Sequence, residues 1–216
     1  MTASVLDRLG ELGVVPVVVI DDVSRAEPLG RALIAGGLPC AEVTLRTPEA
    51  LDCLRVLAED PDLLVGAGTV LRASQVEQAL RAGARYIVSP GFSPAVVAEC
   101  AQAGIPVLPG VATATEIQAA LEVGLEVVKF FPAEAAGGVR TLAALAAPFR
   151  DVRFVPTGGI AAADLASYLA LPSVLAVGGS WLVSTTLLAG GRYAEITELT
   201  AAAVAEVRHA RGSLAT

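Results

Sequence analysis

The chain of 216 residues is 54% hydrophobic but only 4% aromatic, and its formal net charge is −7. No apolar run reaches the ~18–20 residues that span a bilayer, since Pro, Gly and charges interrupt each one, and an acidic balance without a basic tract argues against nucleic acid as a partner. The single histidine, His209, excludes a zinc or iron site built on histidines and a histidine-based triad.

The chain opens on a helical stretch at residues 4–12 that mixes acids with apolar residues and lacks a cleavable signal pattern, which implies a cytoplasmic protein. Short apolar runs then alternate with longer Ala- and Leu-rich segments of helical spacing. Strands are predicted over residues 14–20, 40–45, 63–66, 86–89, 106–108, 127–131, 153–156 and 174–177. Ser24 with Glu27 and Thr113 with Glu116 fit capping boxes at the starts of helices, while Thr47-Pro48 and Ser93-Pro94 fit an N-cap followed by proline. Gly36-Gly37, Gly83, Gly104 and Gly124 stand where a left-handed C-cap closes a helix. Eight strand–helix units without a long linker predict a single α/β domain over residues 1–216, a (β/α)8 TIM barrel with an extra N-terminal helix. A doubly wound open sheet is the alternative. Gly66-Ala67-Gly68-Thr69 lacks the final glycine of a dinucleotide fingerprint, which weakens it. Cys40, Cys53 and Cys100 are odd in number and set in apolar stretches, so they read as reduced fillers. Cys40 also lies close enough to Glu42 to border a site.

Lys129 is the only lysine, and it sits in one of the most apolar segments, between Val127-Val128 and Phe130-Phe131. Desolvation favours the neutral amine and can lower a lysine pKa by up to ~3–5 units, which makes it a nucleophile near neutral pH. A structural lysine would instead snorkel to a strand end or pair with a carboxylate. Period-two alternation in the second strand sets Ala41, Val43 and Leu45 on one face and Cys40, Glu42, Thr44 and Arg46 on the other. The polar set is expected inside the barrel, where an ionised pair is costly unless paired, hydrated or used. The same parity points Val127, Lys129 and Phe131 inward. An internal ion pair of Glu42 with Arg46 or Lys129, without chemistry, is the bland alternative.

Other strand ends fit the same mouth: Thr69, Pro90-Gly91, Pro109-Gly110 and Phe131-Pro132. For the prolines, ordinary turn chemistry is the better account, while for Thr69 the two readings stand level. Two glycine pairs, Gly158-Gly159 after Thr157 and Gly178-Gly179 before Ser180, stand after the seventh and eighth strands. Those loops are the usual phosphate site of a barrel, because glycines let backbone N–H groups approach an anion at a helix N-terminus.

Glu42-Val-Thr-Leu-Arg46-Thr, Val-Gly-Ala-Gly-Thr69-Val, Ser-Pro90-Gly, Lys129-Phe-Phe131-Pro-Ala-Glu, Pro-Thr157-Gly158-Gly159-Ile and Gly-Gly179-Ser180-Trp resemble, in order, the 2-dehydro-3-deoxy-phosphogluconate (KDPG) and 4-hydroxy-2-oxoglutarate (KHG) aldolases. The resemblance runs from the first strand to about Val183. It implies a homotrimeric class I aldolase of the Entner–Doudoroff route, without metal or cofactor. Its partners would be a phosphorylated 2-keto-3-deoxy sugar acid and pyruvate. It further implies that Lys129 forms the Schiff base and Glu42 transfers protons. Arg46, Thr69, Pro90 and Phe131 would line the pyruvate end. Thr157 would contact the other end of the substrate, and Gly158, Gly159, Gly179 and Ser180 its phosphate. A dedicated KHG or phosphogalactonate aldolase, a non-catalytic phosphosugar-binding barrel and a metal-dependent lyase are the rival readings.

Overall fold

In the computed structural model, which describes residues 4–212, strands and helices alternate along most of the described chain. The order begins α1 (Val5–Leu12), β1 (Val14–Val18), α2 (Ala26–Ala35), β2 (Cys40–Thr44), α3 (Ala50–Ala58), β3 (Leu64–Gly68), α4 (Ala73–Arg81), β4 (Ile87–Val88) and α5 (Pro94–Ala103). It continues β5 (Val107–Leu108), β6 (Gly110–Val111), α6 (Ala114–Glu122), β7 (Val127–Phe130), α7 (Gly138–Ala146) and β8 (Arg153–Phe154). The chain then forms α8 (Leu165–Leu169), β9 (Val177–Gly179), α9 (Thr185–Ala189) and the long α10 (Tyr193–Gly212). Among the described residues no helix is long and apolar enough to cross a membrane.

Every strand pair is parallel. One curled sheet has six strands in the order β5-β4-β3-β2-β1-β9, and a second has three in the order β6-β7-β8. Pro109 separates the two. It follows directly on the predicted fifth strand, which is therefore extended by β6 beyond the expected end, and its carbonyl accepts the Lys129 amide at 2.9 Å. Across the other gap, isolated parallel bridges join Phe154 to Val174 and Thr157 to Gly178.

The period-two reading of the strands holds. Ala41 and Val43 of β2, and Val128 and Phe130 of β7, are fully buried on the faces that meet the helices. Glu42, Thr44 and Lys129 project from the opposite faces and are themselves buried. The predicted eighth strand is misplaced. Val177, Gly178 and Gly179 pair with Val14, Val15 and Pro16, so the two glycines belong to the strand and not to a loop after it. Their lack of a side chain makes room for neighbours. A Cβ on Gly178 would stand 2.2 Å from the Thr157 hydroxyl, and one on Gly179 2.2 Å from the Trp181 ring.

Helix starts divide in the same way. Thr113 and Glu116 form the expected capping box, with the Thr113 amide donating to Glu116 at 2.9 Å. Ser93 accepts from the Val96 amide at 3.4 Å, and Pro94 is the first residue of its helix. Ser24 does not cap a helix. Asp22 accepts its amide at 2.9 Å and starts a 3-10 turn, Val23–Arg25, that runs into α2. Thr47 is also no cap, because its hydroxyl donates to the Ile20 carbonyl at 2.5 Å and ties the end of the second unit to the first. Gly37, Gly83, Gly104 and Gly124 take the left-handed conformation, whereas Gly36 stays right-handed.

The clearest packing demand lies on β3. A Cβ on Gly66 would stand 2.3 Å from the ring of Tyr86, which is 1% exposed and whose hydroxyl donates to the Ala41 carbonyl at 2.9 Å. A rigid buried ring cannot step aside. Gly66→Ala should therefore lower unfolding free energy by about 1–3 kcal/mol, the usual cost of overpacking, as measured by urea denaturation followed by circular dichroism.

Candidate active site

The carboxyl ends of the strands surround a cavity of about 270 Å³. Lys129 enters it from β7 and Glu42 from β2. The Lys129 Nζ donates to Glu42 Oε1 at 3.1 Å, with the two side chains 7% and 5% exposed. Nζ also lies 5.3 Å from the centroid of the Phe131 ring. A cation and a carboxylate this deeply buried lose most of their hydration, so mutual contact is what makes their burial tolerable.

Arg46 follows β2 at the rim. It is exposed and makes no ion pair among the described residues. The formal charges lining the cavity are therefore one neutralised pair and one free guanidinium. That leaves a local positive site in a chain whose net charge is −7. Such a site draws an anion, and a guanidinium matches a carboxylate with two parallel bonds.

Thr69, Pro90 and Phe131 complete the wall around Lys129. Thr69 has φ 57°, the one non-glycine residue in the left-handed region among those described. A β-branched residue held there is strained, and such strain clusters where a site needs a particular backbone orientation. Thr157, Gly158, Gly159 and Ser180 line the cavity as well. Gly158 and Gly159 have φ 105° and 80°, a pair of conformations that β-carbons disfavour. A Cβ on Gly158 would also press on the Phe131 ring at 3.1 Å. The exposed Ser180 hydroxyl makes no hydrogen bond within the described chain. The helix N-terminus expected behind Gly159 is a 3-10 turn, Ala162–Asp164, whose Asp164 already accepts the Ala161 amide at 3.1 Å.

Ten of the eleven residues expected at the site thus meet in one cavity; Gly179 does not line it. Gly178 takes its place, since the strand shift brings it opposite Thr157. Val17, Thr44 and Ile160 also line the cavity without having been singled out. Thr44 carried a signal, being on the inner face beside Glu42, and its hydroxyl donates to the Val18 carbonyl at 2.8 Å. Val17 and Ile160 carry no chemistry that a sequence could flag.

Cys40 takes no part. It lies outside the cavity, its thiol donates weakly to the Val14 carbonyl at 3.6 Å, and burial pushes its pKa far up. Burial also raises the Cys53 and Cys100 thiols to about 11. Among the described residues no group of three or more His, Cys, Asp or Glu could hold a metal ion.

This geometry has counterparts among known proteins. Residues 5–199 match the family model for KDPG and KHG aldolase. The 2-dehydro-3-deoxy-phosphogluconate aldolase of Treponema pallidum is 50% identical over 91% of this chain and 94% of its own length. The KHG/KDPG aldolase of Escherichia coli is 47% identical over 88% of this chain and 90% of its own. A KDPG aldolase from Legionella pneumophila, solved with pyruvate captured at low pH as a covalent carbinolamine intermediate, has a TM-score of 0.89 and 42% identity, covering 92% of this chain and 97% of that one. A family match over most of the chain, joined to relatives at this identity, establishes that the chain belongs to the KDPG and KHG aldolase family.

Proposed function

We propose that this protein is a class I aldolase that cleaves 2-dehydro-3-deoxy-6-phospho-D-gluconate to pyruvate and D-glyceraldehyde 3-phosphate and also acts on 4-hydroxy-2-oxoglutarate. The observation that carries this reading is the Lys129 amine held 3.1 Å from the Glu42 carboxylate, inside a cavity that also presents Arg46. The names of the Treponema pallidum and Escherichia coli relatives support it. So does the carbinolamine captured in the Legionella pneumophila aldolase.

Moving one proton along the Lys129–Glu42 bond turns ammonium and carboxylate into amine and carboxylic acid, with no change in the net charge of the pair. The amine lone pair then adds to the C2 ketone. Glu42 gives a proton to the carbinolamine hydroxyl, which leaves as water and generates a protonated imine. Now a carboxylate, Glu42 takes the proton of the C4 hydroxyl. The C3–C4 bond pair flows into the imine, the aldehyde departs, and an enamine remains. Glu42 returns its proton to the enamine carbon, and water releases pyruvate from Lys129. One carboxylate serves as acid and base in turn, a form of assistance worth about 10²–10⁴-fold.

Arg46 holds the substrate carboxylate beside the imine, with Thr69, Pro90 and Phe131 enclosing that end. Gly158, Gly159 and Ser180 receive the phosphate, and Thr157 faces the hydroxyls between. Gly179 acts from behind the loop, by leaving room for Trp181. Binding at the phosphate end orients the reacting centre at the other. We infer too that the six- and three-stranded sheets close into one (β/α)8 barrel, a reading supported by the parallel bridges of Phe154 to Val174 and of Thr157 to Gly178. A single-domain, cytoplasmic homotrimer without metal or cofactor completes the proposal, as the sequence resemblance implies.

Lys129→Met should abolish the pyruvyl adduct that borohydride traps on the wild type, read by mass spectrometry of the intact chain and its peptides. An adduct of undiminished yield in the variant would assign the nucleophile elsewhere. Ser180→Ala should lower kcat/KM for the phosphorylated substrate at least about tenfold more than for 4-hydroxy-2-oxoglutarate, since a hydrogen bond to a charged group contributes about 1.5–3 kcal/mol. Equal losses on both substrates would remove Ser180 from phosphate binding. Turnover should survive exhaustive EDTA treatment unchanged.

A further inference from the structure

Gly68 ends β3 and pairs with Thr44 of β2, one strand across from Glu42. A Cβ built on it would stand 2.3 Å from Glu42 Oε1, 2.7 Å from Cγ and 2.8 Å from Cδ. Oε1 is the oxygen that accepts the hydrogen bond from Lys129. The carboxylate therefore lies in the space that any side chain at position 68 would fill.

Glycine commonly answers a conformational need, but not here. Gly68 is an extended strand residue and is absent from the positions with positive φ, so alanine can adopt its backbone. Room is what the glycine supplies. Two residues earlier, Gly66 supplies room to the rigid ring of Tyr86, and its replacement strains packing. The neighbour of Gly68 is instead the far end of a flexible side chain. Glu42 can turn about its side-chain torsions and escape a methyl without any shift of the backbone. It cannot do so and keep its 3.1 Å contact with Lys129. Proton transfer requires donor and acceptor within about 2.6–3.2 Å, or one bridging water, so the displacement falls on chemistry.

We infer that Gly68 is a positioning residue for proton transfer: its missing side chain fixes where the Glu42 carboxylate stands relative to the Lys129 amine. The inference rests on the aldolase reading above, because that reading says what the placement is for.

The test measures exchange of the pyruvate methyl protons in deuterium oxide by NMR, alongside borohydride trapping of pyruvate and thermal unfolding. Gly68→Ala should slow exchange at least about tenfold, while the trapped adduct still maps to Lys129 and the chain still unfolds in one cooperative transition. Placed on a Glu42→Ala background, where no carboxylate remains to be displaced, Gly68→Ala should cost less than about twofold further. Exchange at the wild-type rate in Gly68→Ala would overturn the inference, and so would losses that multiply in the double variant. Should Gly68→Ala fail to fold, recovery of folding in the double variant supports the steric contact with Glu42, and failure there too overturns it. A wild type that traps no pyruvate sinks the aldolase reading and this inference together. Normal trapping with an insensitive position 68 sinks the inference alone.

Discussion

The buried contact between Lys129 and Glu42 is the constraint around which the interior is arranged. Fold stability alone does not call for it. Replacing a buried ion pair by well-packed apolar groups is often neutral or stabilising by about 1–4 kcal/mol, whereas removing one partner leaves the other uncompensated at about 3–5 kcal/mol. A chain rich in Val, Leu and Ala had ready means of filling that space with hydrocarbon. Keeping an ammonium and a carboxylate there makes sense when a proton must move between them. Their placement follows from the strands: residues on the inner faces of β2 and β7 converge on the axis, and the outer faces carry Val43, Val128 and Phe130 to the helices.

Glycine serves this interior in two distinct ways. Gly158 and Gly159 take backbone conformations that a β-carbon resists, which bends the loop after β8 around Phe131 and Glu134. Gly66, Gly68, Gly178 and Gly179 are ordinary strand residues whose value is the volume they leave empty. Tyr86, Glu42, Thr157 and Trp181 occupy those four volumes. Two of the four, Glu42 and Thr157, are polar groups of the cavity wall, and two, Tyr86 and Trp181, are rings. A composition with few aromatics and many glycines is thus the counterpart of a narrow interior that admits large side chains only where a neighbour yields.

Much of this was legible in the sequence, for identifiable reasons. A sole lysine in an apolar run and a strand alternating Glu42, Thr44 and Arg46 with aliphatics report side-chain direction through a period that tertiary context rarely overrides. Caps were less legible. Thr113 and Ser93 behave as their motifs say, but Thr47 spends its hydroxyl on the Ile20 carbonyl, a tertiary bond, and Asp22 outcompetes Ser24 through a local one, neither of which the motif encodes. The eighth strand slipped by three residues because glycine pairs read as turns, and only register with β1 shows Gly178 and Gly179 to be extended. Val17 and Ile160 stayed hidden because wall residues without polar atoms look like any core residue. The left-handed Thr69 was likewise invisible, since nothing in a threonine announces strain.

Charge supplies the last link between composition and site. A protein of net charge −7 repels anions at long range, yet its cavity is lined by a neutralised pair and an unpaired Arg46. The two scales do not conflict. At physiological ionic strength the Debye length is about 8 Å, so surface carboxylates farther than that from the cavity are largely screened there, and several are engaged with arginines on their own helices. Arg46 acts inside that length, on an anion that has already arrived. Had Glu42 paired with Arg46 instead, the cavity would hold an idle salt bridge and a lone buried ammonium, with neither a free guanidinium for a carboxylate nor a base beside the amine. In the proposed mechanism, the choice of Lys129 as the partner of Glu42 therefore serves two functions at once: it keeps proton transfer local to the nucleophile and leaves the rim cation available to the substrate.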